Sequence, residues 1–312
     1  MDSTHKCLPP LDEEEKKLSM NILITGSSGF IGRNLNEQLS RKYSITAPSS
    51  SQLNLLDAYA VQEYLKKKRF DIVIHSATWN ATNNSPKDTS KVLENNLRMF
   101  FNIARCNTFY GKMIYYGSGA EYDRNHWKPR MKEDYFDTHV PADDYGFSKY
   151  IMAKYAVHSK NIYNLRLFAV FGKYEDWQIR FISNACCKAM WDLPITIRQN
   201  RHFDYLHVDD LIKITEWFVE NQSKDRCYNV CTGSPFDLVT LAKKTLGVSN
   251  KKLDIKVAGK GLGKEYSGDN SSLLKEMDGY VFKDITDCIS ELYHWYRVNK
   301  NKINREYLLF DK

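Results

Sequence analysis

Tyr145 and Lys149 stand four residues apart in the run YGFSK. On a helix that spacing places both side chains on one face. A phenol held there can give a proton to, or take one from, the oxygen of a carbon undergoing reduction or oxidation, and a neighbouring ammonium favours the phenolate. Ser118, in YYGSGAEY, follows an apolar run that reads as a strand, and its hydroxyl would hydrogen-bond the same oxygen. The three groups suit carbonyl reduction or alcohol oxidation. A YxxxK pair alone is more often an exposed helix pair, so the weight rests on what precedes it in the chain.

What precedes it is ILITGSSGFIGRNL, with Gly26, Gly29 and Gly32 placed after a strand and into a helix. The first glycine permits the tight turn, the second lets backbone N–H groups approach a pyrophosphate, and the third allows close helix–strand contact. The helix N-terminus supplies favourable electrostatics for the phosphates. Glycine loop, strand-end serine and YxxxK thus occur in the order that brings a nicotinamide dinucleotide to Tyr145. An NAD-preferring site carries an acid about 20 residues past the glycines. Here the region reads ITAPSSSQLN, with no acid between Glu37 and Asp57. Ser49, Ser50 and Ser51, with Arg33, Arg41 and Lys42, can instead receive a 2′-phosphate, so NADP is favoured and NAD remains possible.

The elements that must position these groups alternate: NILITG, FIGRNLNEQLSRK, YSITA, DAYAVQEYLKKK, DIVIHSA and a helical stretch to about Cys106. This βαβαβα rhythm predicts a doubly wound parallel Rossmann sheet covered by helices on both faces. KMIYYGS, NIYNLRLFAVFG and CYNVCTG add three strands, the last after the chain has left the sheet. The expected organisation is a mobile leader at 1–19, a dinucleotide-binding domain at 20–172 joined again by 206–232, and a smaller substrate-binding lobe from 173–205 and 233–312. An amphipathic helix is predicted from Asp284 to about Lys300 through Ile285, Cys288, Ile289, Leu292 and Trp295.

Composition narrows the class. With 312 residues, 42% apolar and 27% charged, the chain can bury a sizeable core. The net charge of +7 suits an anionic small molecule and falls short of a nucleic-acid footprint. Seven cysteines lack any CxxC or His/Cys cluster at ligand spacing, so neither a disulfide scaffold nor a metal site is expected. The leader has no apolar stretch and every other apolar run is strand-sized, which predicts a cytoplasmic protein without membrane contact.

The motifs TGSSGFIG, NLLD at 54–57, DIVIHSA, Asn96, GSGAEY, YGFSK, LRLFAVFG and FDYLHVDDL resemble the extended short-chain dehydrogenase/reductase family of nucleotide-sugar epimerases, dehydratases and reductases, from about Met20 to Arg297. QLNLLDAYAVQEYL is most similar to its 4-ketoreductase branch, to which GDP-fucose synthase belongs. The resemblance implies Ser118, Tyr145 and Lys149 as the catalytic set. It implies Gly26, Ser28, Gly29, Phe30, Ile31, Arg33, Ser49, Asn54, Leu55, Ala77, Asn96, Tyr145 and Lys149 as cofactor contacts, and Gly119, Ala120, Ala169, Arg180, Arg201 and Lys264 around a nucleotide-sugar. The cysteine and histidine that serve epimerisation in GDP-fucose synthase correspond to Ala120 and Arg180, and the acidic pair of dehydratases to Gly119 and Ala120, with Glu121 one position late.

Two departures stand out: Ala169 where the family often has Asn, and Phe203 where it often has Arg. Arg180, Arg201 or Lys264 can supply the missing charge to a pyrophosphate. His75 and His207 read as packing or hydrogen-bonding groups. Trp79, His126, Trp127, Tyr174 and Trp177 can stack on a base or sugar, or simply pack. The helices at 89–106 and 146–159 match those that form a four-helix dimer interface in the family, implying a homodimer. The expected activity is NADPH-dependent reduction of a nucleotide-linked 4-keto-6-deoxyhexose to the 4-hydroxy sugar for surface polysaccharide precursors. The alternatives are a 4-epimerase with tightly bound NAD and a non-catalytic dinucleotide-binding module.

Overall fold

The computed structural model describes residues 19–79 and 87–309. Residues 1–18, nearly all of the expected leader, lie outside the described residues. The first half runs β1 (Asn21–Thr25), α1 (Phe30–Leu39), β2 (Ser44–Thr46), α2 (Ala58–Lys68), β3 (Phe70–His75), α3 (Val92–Ala104), β4 (Tyr110–Ser118), α4 (Asp144–His158), β5 (Ile162–Leu167) and β6 (Ala169–Phe171). The second half continues with α5 (Phe181–Met190), β7 (Ile195–Asn200), β8 (His202–Phe203), β9 (Tyr205–His207), α6 (Val208–Glu220), β10 (Cys227–Val230), β11 (Phe236–Asp237), α7 (Leu238–Ser249), β12 (Ile255–Leu262), α8 (Ser271–Glu276) and α9 (Ile285–Val298).

Six strands form one parallel sheet in the order β10-β5-β4-β3-β1-β2. Strand side chains alternate between faces, and both faces are apolar because both are covered. Ile22 and Ile24 point to the face packed by Leu35 and Leu39 of α1 and Leu211, Ile214 and Phe218 of α6. Leu23 and Val73 point to the other, against Val61 and Leu65 of α2, Phe100 and Ile103 of α3, and Met152 and Ala156 of α4. Each such side chain contributes roughly 1.5–3 kcal/mol by leaving water. The order reverses at β1 and β3, and open α/β sheets bind ligands outside the strand ends at that switch point.

A separate core unites α5, α7 and α9 with β7, through Cys186, Cys187, Ile195, Leu241, Ile289 and Tyr296. Eight of the ten residues of α5 are buried, which erases the one-sided apolar stripe that marks a surface helix in sequence. The single strand expected over NIYNLRLFAVFG is broken at Phe168. β5 pairs with β4 and β10, whereas β6 leaves the sheet to pair with β9. Phe168 faces a small aromatic cluster with Tyr122 and Tyr266 beside the end of β4. Among the described residues no helix is long and apolar enough to cross a membrane.

Candidate active site

The loop after β1 is shaped by close backbone approach. Gly26 adopts φ 71°, and a Cβ there would lie 2.6 Å from the Ala77 nitrogen beyond β3. A Cβ on Gly32 would meet the Gly26 carbonyl oxygen at 2.1 Å. Gly29 is the N-cap of α1 and offers no side-chain cap, so the first N–H groups of the helix, those of Phe30 and Ile31, lie outside its internal ladder at the positive end of its dipole. A dinucleotide pyrophosphate fits this cradle: it needs donors, positive potential and room that a side chain would fill. Ser28 and Gly29 are exposed at its mouth.

Other expected cofactor residues surround the loop. Asn96 accepts the Trp79 N–H at 2.7 Å and the Thr78 hydroxyl at 3.2 Å, fixing the backbone after Ala77. Asn54 closes a turn on the Leu56 N–H, and the Leu55 carbonyl takes a hydrogen bond from Asn102. The Ser49 and Ser51 hydroxyls are 2.8 Å apart at the end of β2. Ser27, absent from the expected set, donates to the Ala47 and Pro48 carbonyls and ties the glycine loop to that end. The Arg33 guanidinium stacks 3.8 Å from the Tyr174 ring centroid, near Glu37, which binds Lys173 at 2.6 Å. The ammonium of Lys42, another basic candidate for a 2′-phosphate near this turn, pairs with Glu216 of α6.

Asp143 caps α4 by accepting the Gly146 N–H at 2.9 Å, which sets Tyr145 in the first turn. Lys149, one turn on and 4% exposed, donates to the Tyr116 carbonyl at 2.7 Å. Its ammonium lies 5.8 Å from the Tyr145 ring centroid. Ser118 ends β4, and its hydroxyl accepts the Ala120 N–H at 3.1 Å beside the Tyr145 phenol. The catalytic set predicted from sequence is therefore assembled at one strand end. Burial raises the Tyr145 pKa, opposed by the Ser118 hydroxyl and the charges of Arg180 and Arg124. The phenol accordingly keeps its proton near neutrality. Burial lowers Lys149 to about 8, with Glu121 opposing.

Glu121 is engaged elsewhere. Its carboxylate accepts from Arg166 Nε at 2.6 Å, Asn164 at 3.0 Å and the Ser118 N–H at 2.9 Å, and both charged side chains are fully buried. Arg166 also donates to the Tyr122 hydroxyl at 2.7 Å. Asn229 of β10 accepts from that hydroxyl at 2.7 Å and donates to the Met131 and Asp269 carbonyls, while its N–H reaches Glu133 at 2.9 Å. The loop behind Ser118 is thus fixed by the last strand of the sheet. An arginine inside the apolar strand NLRLF is the sequence signal for this buried pair, since such a charge needs a partner.

His75 meets the Thr25 hydroxyl at 2.8 Å; burial, aided by Lys149, pushes it down to about 3 and leaves it neutral. His207 caps α6 by accepting the Asp209 N–H at 3.4 Å. His207, Asp209 and Glu291 bring potential ligand atoms together, but Lys283 pairs with Asp209 at 3.4 Å and Glu291 at 2.6 Å.

On the substrate side, Ala120 is buried directly behind Ser118 and Gly119. Arg180 is exposed at the start of α5. Lys264 donates to the Asn125 carbonyl at 2.5 Å, next to Arg124, which pairs with Asp143 at 3.1 Å. Arg201 binds Gln199 at 3.4 Å. Ala169 opens β6 opposite Tyr205, and Phe203 bridges to Tyr266. Arg124 and Tyr266 were not expected here, and nothing local in their surroundings announces a role.

The model of the NAD dependent epimerase/dehydratase family matches residues 22–231. The ADP-L-glycero-D-manno-heptose-6-epimerase of Brachyspira hyodysenteriae is 25% identical over 260 residues, covering 71% of this chain and 79% of its own. The GDP-6-deoxy-D-talose 4-dehydrogenase of Aggregatibacter actinomycetemcomitans is 25% identical over 296 residues, covering 88% and 97%. Among solved structures, the GDP-mannoheptose C4 reductase MlghC from Campylobacter jejuni with NADP bound superposes with TM-score 0.77 at 18% identity, covering 90% of this chain and 99% of that one, a likeness of fold. With its glycine loop, its six-stranded parallel sheet and Ser118, Tyr145 and Lys149 assembled at one strand end, the chain belongs to the NAD dependent epimerase/dehydratase family.

Proposed function

We propose that the enzyme reduces a nucleotide-linked 4-keto-6-deoxyhexose to the 4-hydroxy sugar with NADPH, toward surface polysaccharide precursors. The observation that carries this reading is the pairing of a complete Ser118, Tyr145 and Lys149 set with a Glu121 carboxylate committed to Arg166. A dehydration needs an acid or base working beside that set, and the first carboxylate after Ser118, that of Glu121, is taken up by Arg166, Asn164 and the Ser118 N–H. Ala120 and Arg180 lack the groups for epimerisation at neighbouring carbons. The names of the Aggregatibacter and Campylobacter relatives specify redox chemistry at position 4 of GDP-linked sugars.

A bound nicotinamide supplies the hydride. Tyr145, kept protonated by burial, gives its phenol proton to the carbonyl oxygen that Ser118 orients. The Lys149 ammonium, fixed by the Tyr116 carbonyl, favours the phenolate that remains. Arg180 and Lys264, with Arg124 and Arg201, offer charge to the sugar's pyrophosphate. NADPH is preferred because no acid closes the end of β2 and Arg33 stands on the first turn of α1. Residues 20–172 with 206–232 serve the cofactor, and 173–205 with 233–312 the substrate. The same reading makes the protein a cytoplasmic homodimer through α3 and α4, where Tyr155 and Val157 are 38% and 43% exposed; a monomer by light scattering would remove that part.

The test mixes purified protein with NADPH or NADH and a panel of nucleotide-linked 4-keto-6-deoxysugars, following absorbance of the reduced nicotinamide. Stoichiometric consumption with one sugar, faster with NADPH, is expected. The second reading, a redox-neutral epimerase, is favoured by the name of the Brachyspira relative. It requires that no reduced cofactor be consumed and that NAD be released on denaturing the protein.

A further inference from the structure

Lys149 is buried, yet among the described residues its ammonium has a single hydrogen-bond acceptor, the Tyr116 carbonyl at 2.7 Å, and no carboxylate partner. Glu121, whose charge acts on it from beyond the strand end, is taken up by Arg166 at 2.6 Å. What faces the ammonium is aromatic. Its nitrogen stands over the Tyr115 ring, 4.7 Å from the centroid, and over the Tyr145 ring at 5.8 Å. The Tyr115 ring is itself fixed: Phe100 meets it edge to face at 4.9 Å, and His75, which burial keeps neutral, stacks on it at 6.0 Å. Its hydroxyl is buried and has no hydrogen-bond partner among the described residues, so the ring and not the oxygen accounts for its place.

Burial penalises an ammonium, and it lowers Lys149 to about 8. A carboxylate beside it would hold the charge, but would also cancel the field that favours a phenolate at Tyr145. The face of an aromatic ring is negative through its quadrupole, carries no net charge, and attracts a cation most strongly where water is excluded. We propose that Tyr115 is a positioning residue, whose ring face keeps the Lys149 ammonium charged and in place beside Tyr145 without supplying a counter-charge. The inference rests on the catalytic reading of Tyr145 and Lys149 given above. Of the other groups around the ammonium, His75 of β3 is neutral, Tyr145 of α4 keeps its proton, and Glu121 is paired with Arg166. The Tyr115 face is therefore the contact that can be altered without changing any charge.

Tyr115→Phe keeps the face and serves as the reference. Fluorinating the ring that this substitution introduces, with one, two and then three fluorines, drains its negative face at nearly constant shape. The readout is the titration of Lys149 by ¹³Cε-lysine NMR in the resting protein, its signal identified by its loss in Lys149→Met. Lys149 should titrate lower with each fluorine, by about one pH unit in all, and Tyr115→Leu should lower it at least as far. A fall of about one unit from about 8 leaves roughly a third as much ammonium at about pH 7.5. Turnover there should therefore drop about threefold, with little change near about pH 6. A ring that merely packs would give one titration across the fluorinated series. That result overturns the proposal, as does an unmoved Lys149 signal in Tyr115→Leu. Should Tyr115→Leu fail to fold, the fluorinated series decides alone. If the signal moves as expected and no sugar is reduced, the contact between ring and ammonium stands and only the ketoreductase reading falls.

Discussion

The cleft at the strand ends has two sides made in different ways. Around the glycine loop the surface is backbone: Gly26 and Gly32 are spaced so that β1, α1 and the segment after β3 nearly touch. Around Ser118 it is side chain: Trp127, Phe168, Phe203 and Tyr266 converge from four separate segments and pack together. The first side excludes any added atom, and every residue that builds it lies within the first two βα units and the turn after the third strand. The second accepts changes of shape, provided distant segments keep their register. One side is thus shaped by steric exclusion, and the other by long-range docking.

That contrast can be broken in graded ways. The largest effect is expected at the junction of the two sides: Tyr145→Phe should lower turnover by about 10²- to 10⁴-fold. Nicotinamide binding, followed by fluorescence, should stay unchanged, because the cradle is backbone; a large loss of binding would show that the sides are not separable. Next, Arg166→Met leaves Glu121 buried and unpaired, and should cost about 3–5 kcal/mol in urea unfolding. Changing both Glu121 and Arg166 to apolar residues should recover most of that.

The two sides should differ most clearly in a matched pair. Gly32→Ala brings its Cβ to 2.1 Å from a carbonyl oxygen and should weaken cofactor binding at least about tenfold, for a clash that must separate α1 from β1. Phe203→Leu, in the aromatic cluster, should cost less than about 1.5 kcal/mol of stability, as apolar swaps of similar size do. Equal tolerance at both positions would refute the distinction.

The most gradual effect concerns pH. His75 is neutral in the folded protein down to about 3, whereas in the unfolded chain it titrates near about 6.5. Between those values the unfolded state binds more protons, so stability is lost as pH falls, with a slope of up to about 1.4 kcal/mol per pH unit from this group. His75→Gln should flatten the acid side of a stability profile measured by denaturant between pH 6.5 and 4.

The same contrast explains what was legible in the sequence. The glycine loop, the strands of the sheet and the Tyr145–Lys149 pair announce themselves because their physical requirements are local: a turn, an apolar run, a helical spacing. The split at Phe168 was hidden because both halves are apolar, and only the pairing of β6 with β9 separates them. α5 was hidden because burial on all sides removes its stripe. Lys42 looked available beside Arg41 and pairs with Glu216, 174 residues on. Tyr266 had no signal at all, since it is placed by ring contacts with Trp127, Phe168 and Phe203, all far from it in sequence. Glu121, one position late for the acidic pair of dehydratases, is buried against Arg166, a partner 45 residues on that its own neighbourhood does not announce.

Asn229 carries a consequence for biosynthesis. It binds the Tyr122 hydroxyl, the Met131 and Asp269 carbonyls and the Glu133 carboxylate from the outermost strand next to β5. Domains gain structure from the N-terminus as they leave the ribosome. The phosphate loop is therefore complete early in translation, while the loop behind Ser118 waits for β10 to dock. A growing chain holds the whole glycine loop well before it can fix the loop behind Ser118, which is tied down only when a strand from more than 100 residues further on takes its place at the edge of the sheet.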